Sequence, residues 1–495
     1  MSDSVINFDN LLALLKYDQY NPLMFNTGLF LILFAVFLAI YQLMRKHRTA
    51  KFLFVIAFSL YFYYKSSAEY CFILLGVCLS DYFLGILMER CRHNWQKRLI
   101  VALNVVINVG MLVWFKYFNL IYETFANFTG RDFNALDIIL PAGISFFTFR
   151  SISYIVDIYR GVIHACRDFL AYAFYLTFFP PLLAGPVVRA KDMLPQVMAN
   201  PVASRAMTSE GLFLIMCGLF KKVLVADFIS VNFVDRVFDN PALYTGFEVV
   251  TAIYGFVIQL YCDFSGYSDM AIGLALLMGY QFLDNFRSPF KSQSPTEFWH
   301  RWHISLSTWL RDYVYIPLGG NRCGKLRHYF NLMCTMVIGG LWHGASWMYL
   351  IWGALQGSFL VGHKMIRQIL PRVKPENRNR WWRRAFNIFI TFNLIALSFV
   401  FFRARSLEKV GEMWAQIRHN FHLQVITQFW EGYAAIIIVM FVAYAMHYMP
   451  ERLTARLKST YNAMPLIAQA LVLALLIFVV IQRKGEIVPF IYFQY

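Results

Sequence analysis

Charge is scarce in this chain of 495 residues: Asp, Glu, Lys and Arg make up 15% of it, against 59% hydrophobic residues. A soluble domain carries roughly 25% charged and 45–50% apolar residues, so the shortage excludes an ordinary water-soluble fold. The eight cysteines (71, 78, 91, 166, 217, 262, 323 and 334) form no CxxC pair, and no HExxH motif occurs. That removes the commonest zinc and thiol-redox signatures. Cysteines scattered through apolar runs read as free buried thiols, with no metal or disulfide role. There is no low-complexity linker, no soluble domain and no internal repeat. The missing repeat argues against a transporter built from inverted halves. No basic segment precedes the first apolar run, so no cleavable signal peptide is expected.

What is abundant is apolar and aromatic, with 49 Phe and 29 Tyr in an 18% aromatic total. A membrane-spanning helix needs about 17–25 largely apolar residues. Runs of that kind lie at Gly28–Met44, Tyr70–Met88, Leu99–Tyr122, Gly211–Phe228, Arg384–Phe402, Tyr433–Met449 and Leu466–Ile481. Shorter runs broken by Pro and Gly lie between them. The expected fold is all-α: a polytopic membrane protein of about 11 transmembrane helices. Residues 24–495 read as one membrane domain with its core at about 140–357. Residues 1–23 read as an N-terminal extension whose amphipathic stretch, Phe8–Lys16, could lie in the interface.

Basic residues outnumber acidic ones by 45 to 28, a net charge of +17. In a soluble protein this would suggest nucleic acid. Here the basic residues cluster between apolar runs, at Arg45–Arg48, Arg90–Arg98, Arg322–Arg327 and Lys364–Arg384. That is the positive-inside pattern, so these loops are expected on the cytoplasmic side and no nucleic-acid partner is expected. Asp3, Asp9 and Asp18 against Lys16 place the N-terminus outside. The last cluster, with eight Lys and Arg against one Glu, could also touch anionic lipid or an acidic partner.

Four segments hold unusual polarity within apolar surroundings, where charges and broken backbone are tolerated only if protein or a cavity encloses them. In PAGISFFTFRSISYIVDIYRG, Arg150 and Asp157 stand seven apart, two turns along one helix face. In FFPPLLAGPVVRAKDMLPQ, Pro180, Pro181, Gly185 and Pro186 forbid a continuous helix. In QLYCDFSGYSDMAIG, Asp263 and Asp269 call for basic partners, with Arg150, Arg189 and Arg287 as candidates. In FWHRWHISLSTWLRDYVYIPLGGNR, His300 and His303 stand three apart, but no third ligand is near, so a metal site is not expected. Read as one helix, this segment puts His303 on a face with Trp299 and Ser307. It also leaves Arg301, Arg311 and Asp312 to pair with the acids of the preceding segment.

A histidine then appears inside GGLWHGASW, residues 339–347. His343 follows Trp342 and lies between Gly340 and Gly344. Two short crossings, Tyr329–Gly340 and Trp347–Gly362, must fit between the basic loops, with this histidine near their junction. The glycines either bring backbone close or leave room for a thin ligand. A neutral buried imidazole there can act as a general base, or it can be a packing hydrogen bond between helices.

WHRWHISLSTWLRDYVYIPLGGNR followed by GGLWHGASWMYLIWGALQG resembles the membrane-bound O-acyltransferase family. The likeness is greatest to its bacterial branch, which contains alginate O-acetyltransferase and the D-alanyl transfer protein of teichoic acids. PAGISFFTFRSISYIVDIYRG, FFPPLLAGPVVR, YCDFSGYSDMAIG and the terminal PFIYFQY share the resemblance, which runs from about residue 24 to the end. It implies a ring of helices around a thin floor with a funnel on each side. It assigns His343 to the family's nearly invariant histidine and His303 to its second functional position. Trp342, Gly340, Gly344, Ser307, Trp302, Arg311, Asp312 and Asp263 would line the substrate channel or support it. The implied reaction carries an acyl group, acetyl by preference, from a cytoplasmic thioester to a hydroxyl beyond the membrane. The thioester is acetyl-CoA or an acyl carrier protein, and no cofactor is bound. The acceptor is a polysaccharide or an SGNH-hydrolase-like partner acyltransferase on the outer side of a bacterial cytoplasmic membrane. His343 would be the base, and His303 would orient the carbonyl or stabilise the oxyanion. D-alanyl transfer from a carrier protein, a transporter and a non-catalytic export scaffold remain as rival readings.

Overall fold

The computed structural model describes residues 14–18, 21–369, 380–482 and 490. Most of the Phe8–Lys16 stretch, most of the 372–384 basic loop and all of the terminal PFIYFQY except Phe490 lie outside the described residues. Among the described residues every regular element is a helix. This suits an apolar chain, because a backbone without water must satisfy its hydrogen bonds internally. The chain folds as two compact units.

The first unit comprises Met1–Gly211, Met270–Phe282 and Arg483–Ile487. Its helices are α1 (Gly28–Leu43), α2 (Arg48–Ser67), α3 (Cys71–Arg90), α4 (Asn94–Leu112), α5 (Phe118–Thr129), α6 (Ile144–Tyr159), α7 (Phe169–Thr177) and α8 (Ala190–Ala199). Residues 178–189 contain no helix and are buried throughout. Phe179 of this stretch sits among rings of α1 and α2, 5.6 Å from Phe37 and 5.1 Å from Phe58. The proline cluster therefore makes the broken, enclosed segment that its composition demands. Arg150 and Asp157 both lie buried on α6. Arg150 donates to the Tyr175 carbonyl and lies over the Tyr175 ring. Asp81 on α3 accepts from Ser151 at 2.7 Å, Asn104 at 2.8 Å and Tyr172 at 2.8 Å, which ties α3, α4, α6 and α7 together.

The second unit comprises Leu212–Asp269, Leu283–Gln482 and Val488–Tyr495. Between α9 (Arg205–Leu219) and α10 (Gly246–Leu277) the chain forms two π-helical stretches, Phe220–Asp227 and Ser230–Val234. Then follow α11 (Pro295–Arg301), α12 (Ile304–Leu310), α13 (Lys325–His343), α14 (Trp347–Ile369), α15 (Trp381–Arg403), α16 (Leu407–His419), α17 (Ile426–Tyr448), α18 (Glu451–Ala463) and α19 (Leu466–Gln482). Helices α13 and α14 form a tight antiparallel hairpin. A Cβ on Gly353 would stand 2.6 Å from the Met336 carbonyl, and one on Gly357 2.6 Å from the Met333 sulfur.

Among the described residues six helical stretches are long and apolar enough to cross a membrane, or seven if the α18–α19 pair, bent by 113°, is one span. One of them, Arg48–Arg90, is 43 residues long. At 1.5 Å per residue a straight helix of that length would reach roughly twice the thickness of a bilayer core. It is in fact α2 and α3, 20 residues each, broken at Ala68 with φ 47°. Several other helices, α13 and α14 among them, fall short of that hydropathy because they carry polar residues. The chain is a multi-pass membrane protein.

Candidate functional site

The site is built from the loop before α11, the break between α11 and α12, and the tip of the α13–α14 hairpin. All of it lies in the second unit. Helix α11 starts at an N-cap: Ser294 accepts from Glu297 N, and Pro295 occupies the first position. It does not continue through residue 322 as the sequence suggested. It stops at Arg301, and His303 takes a left-handed conformation, φ 43° and ψ 55°, before α12 begins. A non-glycine residue there costs roughly 1–2 kcal/mol. Such strain is held only where surrounding contacts over-determine it, often at functional sites.

The contacts that hold His303 come mainly from Asn285. His303 Nδ1 lies 3.1 Å from Asn285 Oδ1. The same oxygen accepts from Ser305 N at 3.2 Å and Ser305 Oγ at 2.8 Å. Asn285 Nδ2 donates to Ser268 Oγ at 3.1 Å, and Ile304 N donates to the Asn285 carbonyl at 2.9 Å. The imidazole is fully buried, and its Nε2 makes no hydrogen bond among the described residues. Burial pushes its pKa down to about 3, so the ring is neutral near pH 7. Phe264 meets it edge to face at 4.5 Å and Trp342 at 5.6 Å.

His343 is the last residue of α13 and is 4% exposed. Rings that pack on it include Trp352 at 4.9 Å, Trp342 at 5.0 Å and Phe402 at 5.2 Å. Trp342 thus touches both histidines. The structure brings His303 and His343, the two expected catalytic residues, together around Trp342, which was expected only to line or support the channel.

The supporting residues fall into place less uniformly. Trp302 is buried between Phe286 at 5.1 Å and Phe399 at 5.5 Å, next to the site. Ser307 Oγ donates to the Trp302 carbonyl at 3.1 Å, so it braces the break. Trp299 donates instead to Gln356 Oε1 at 3.2 Å, and the kink at His303 separates it from the face of Ser307. Gly340 and Gly344 mark close packing. A Cβ on Gly340 would stand 2.3 Å from the Tyr349 carbonyl, and one on Gly344 2.2 Å from the Tyr349 ring. A Cβ on Gly339 would meet Leu310 at 3.1 Å. The glycines let α13 and α14 close around His343, and the space beside them is filled.

The acids of α10 pair with lysines that the sequence reading overlooked. Lys222 reaches Asp263 at 2.6 Å and Asp227 at 2.7 Å, while Lys221 reaches Asp269 at 2.6 Å. Arg301 pairs with Glu297 at 2.9 Å, Arg287 with Asp284 at 3.3 Å, and Arg311 with its neighbour Asp312 at 2.7 Å. These arginines serve their own turns, and the Arg311 side chain is 55% exposed. His300 is exposed and joins nothing at the site. Among the described residues no group of three or more His, Cys, Asp or Glu could hold a metal ion.

A buried pair of imidazoles around one indole is suited to proton transfer and hydrogen bonding at a reacting group. Comparison with known proteins gives the family. The family model described as MBOAT, membrane-bound O-acyltransferase family, matches residues 166–403, which include both histidines. The chain is 39% identical over 406 residues to a probable alginate O-acetylase of Pseudomonas aeruginosa, covering 79% of this chain and 74% of that protein. It is 35% identical over 423 residues to a peptidoglycan O-acetyltransferase of Helicobacter pylori, covering 78% of each. It is also 32% identical over 290 residues to a teichoic acid D-alanyltransferase of Streptococcus thermophilus, covering 52% of this chain and 67% of that one. This chain therefore belongs to the membrane-bound O-acyltransferase family, and it is an acyltransferase of the membrane.

Proposed function

We propose that the enzyme transfers an acetyl group from a cytoplasmic thioester to a hydroxyl on the far side of a bacterial cytoplasmic membrane. The observation that carries this reading is the convergence of His303 and His343 on Trp342, with both rings buried. A hydroxyl is a weak nucleophile near neutral pH, and a positioned base contributes about 10²–10⁴-fold. We assign that role to His343 and treat His303 as its partner at the reacting group. The enzyme binds no cofactor, and the donor is acetyl-CoA or an acylated carrier protein.

Two features support the sidedness. The α13–α14 hairpin returns the chain to the side it left, so Arg322–Arg327 and Lys364 share a face. Basic loops favour the cytoplasm, where an anionic donor would be drawn to them. The acceptor is a cell-envelope polysaccharide, reached directly or through an SGNH-hydrolase-like partner outside. The longer matches support acetyl: the alginate and peptidoglycan proteins match about four-fifths of the chain, the teichoic acid protein about half.

D-alanyl transfer from a charged carrier protein is the second reading, supported by that shorter match. Turnover of purified protein with acetyl-CoA and a polysaccharide acceptor tests the first. No turnover with acetyl-CoA, but turnover with a D-alanyl carrier protein, would move the enzyme to the second. Saturable uptake without acyl transfer would move it to a transporter.

A further inference from the structure

A backbone N–H can only donate. The Asn285 side-chain atom 3.2 Å from Ser305 N is therefore its carbonyl oxygen, which leaves the amide nitrogen to donate to Ser268 Oγ. The flip of this amide, usually ambiguous, is fixed by that one contact. A carbonyl oxygen can only accept, so His303 Nδ1, 3.1 Å away, carries the hydrogen. In a neutral imidazole the other nitrogen is then a bare lone pair. Nε2 is that nitrogen, fully buried and without a hydrogen bond among the described residues.

We propose that Asn285 is a positioning residue that locks His303 in the Nδ1–H tautomer, so that His303 enters acyl transfer as a hydrogen-bond acceptor through Nε2. The proposal rests on the acyl-transfer reading above and changes one part of it. Stabilising an oxyanion requires a donor, and Nε2 has no hydrogen to give; the donor to the oxyanion must come from elsewhere. In the reaction the hydroxyl oxygen bonds the thioester carbon and the carbon–sulfur bond breaks. The hydroxyl proton passes to an imidazole nitrogen and then to the departing thiolate. A bare Nε2 offers the lone pair that such a step uses, so activation of the hydroxyl is shared by the two histidines around Trp342. Asn285 lies eighteen residues before His303 and does more than cap α12. Its oxygen takes three hydrogens, and only one of them comes from a ring.

The test is nitrogen-15 NMR of the purified full chain with labelled histidine, with His303→Gln used to assign the resonances. The expected spectrum has His303 Nδ1 protonated and Nε2 bare. Kinetics supply the second arm. Asn285→Leu should lower kcat roughly tenfold or more, within the range a positioned acid–base group supplies, and leave the KM for acetyl-CoA about unchanged. Asn285→Asp keeps an acceptor oxygen and should restore most of kcat. A protonated Nε2 in the wild-type protein would overturn the proposal. So would wild-type kcat in a folded Asn285→Leu protein, or equal losses in the Leu and Asp variants. If Asn285→Leu does not fold, the wild-type spectrum still decides. Wild-type turnover by His343→Ala would instead remove the base role from His343, and absence of turnover by the wild-type protein with either thioester donor would sink the acyl-transfer reading; both leave the tautomer untouched.

Discussion

The two histidines sit in different local structures. His343 ends α13 and is packed among Trp342, Trp352 and Phe402, and His303 has a left-handed backbone and a hydrogen bond to Asn285. Their substitutions should fail differently. His343→Ala should cost about 10²–10⁴-fold in kcat, the usual worth of a positioned base, while the protein inserts and purifies as wild type. His303→Asn can restore only the bond toward Asn285, since its amide is too short to reach the Nε2 position; it should fold normally and lose nearly all activity. His303→Gln reaches further and should keep more. Equal residual rates for Asn and Gln, measured with acetyl-CoA as donor, would mean that the Nε2 position does nothing. His343 stood out in the sequence as an ionisable group in apolar surroundings, whereas His303 took its expected role from the family resemblance. Asn285 did not stand out. Reading 298–322 as one helix hid the break at His303, and only that break turns the ring toward a loop residue eighteen positions earlier. The short α11 capped by Ser294–Pro295 was the available signal.

At the scale of elements, the α13–α14 hairpin positions His343 through glycine contacts. Gly340→Ala would push a methyl group into the Tyr349 carbonyl and toward Gly353. Overpacking of this kind costs about 1–3 kcal/mol, so its thermal midpoint in detergent should fall and activity with it. Gly362→Ala, on the same hairpin with nothing within 4 Å of the added atom, should behave as wild type. Equal stability of the two variants would contradict the packing account. The sequence suggested either close packing or a thin channel at these glycines. Composition alone does not separate the two, because both need a missing side chain. The lysine–aspartate cluster was hidden for a related reason. Lys221 and Lys222 stand at the start of a π-helical stretch, whose altered register brings both to α10. Lys222 is 2% exposed between two carboxylates. Breaking a buried pair by removing one partner costs roughly 3–5 kcal/mol. Lys222→Met should therefore abolish stable expression, and adding Asp263→Asn should recover part of it. Normal expression of the single variant would show that the cluster is not structural.

Over the whole molecule, composition settled the class: all helix, in the membrane, with basic loops between apolar runs. The number of crossings was less legible. Hydropathy finds the six or seven most apolar stretches among the described residues and passes over α13 and α14, which carry polar residues, His343 among them. Polarity inside a helix weakens the hydropathy signal of a span. Charge distribution yields a further expectation. Exchanging Arg383 and Arg384 for Gln, together with Arg372 and Arg378 in the loop outside the described residues, should raise the KM for acetyl-CoA more than it lowers kcat. The effect should shrink as salt is added, since screening weakens attraction between exposed charges. An unchanged KM at low salt would remove this loop from the donor's path.

The central claim is that this protein moves an acyl group onto an envelope polymer and that His343 performs the transfer. Mass spectrometry of surface glycans measures it most directly, in cells lacking the protein and complemented with wild type or His343→Ala at matched membrane levels. The account predicts ester-linked acetyl groups with wild type and none above background with His343→Ala. Equal acetyl content in the two complemented strains would contradict it.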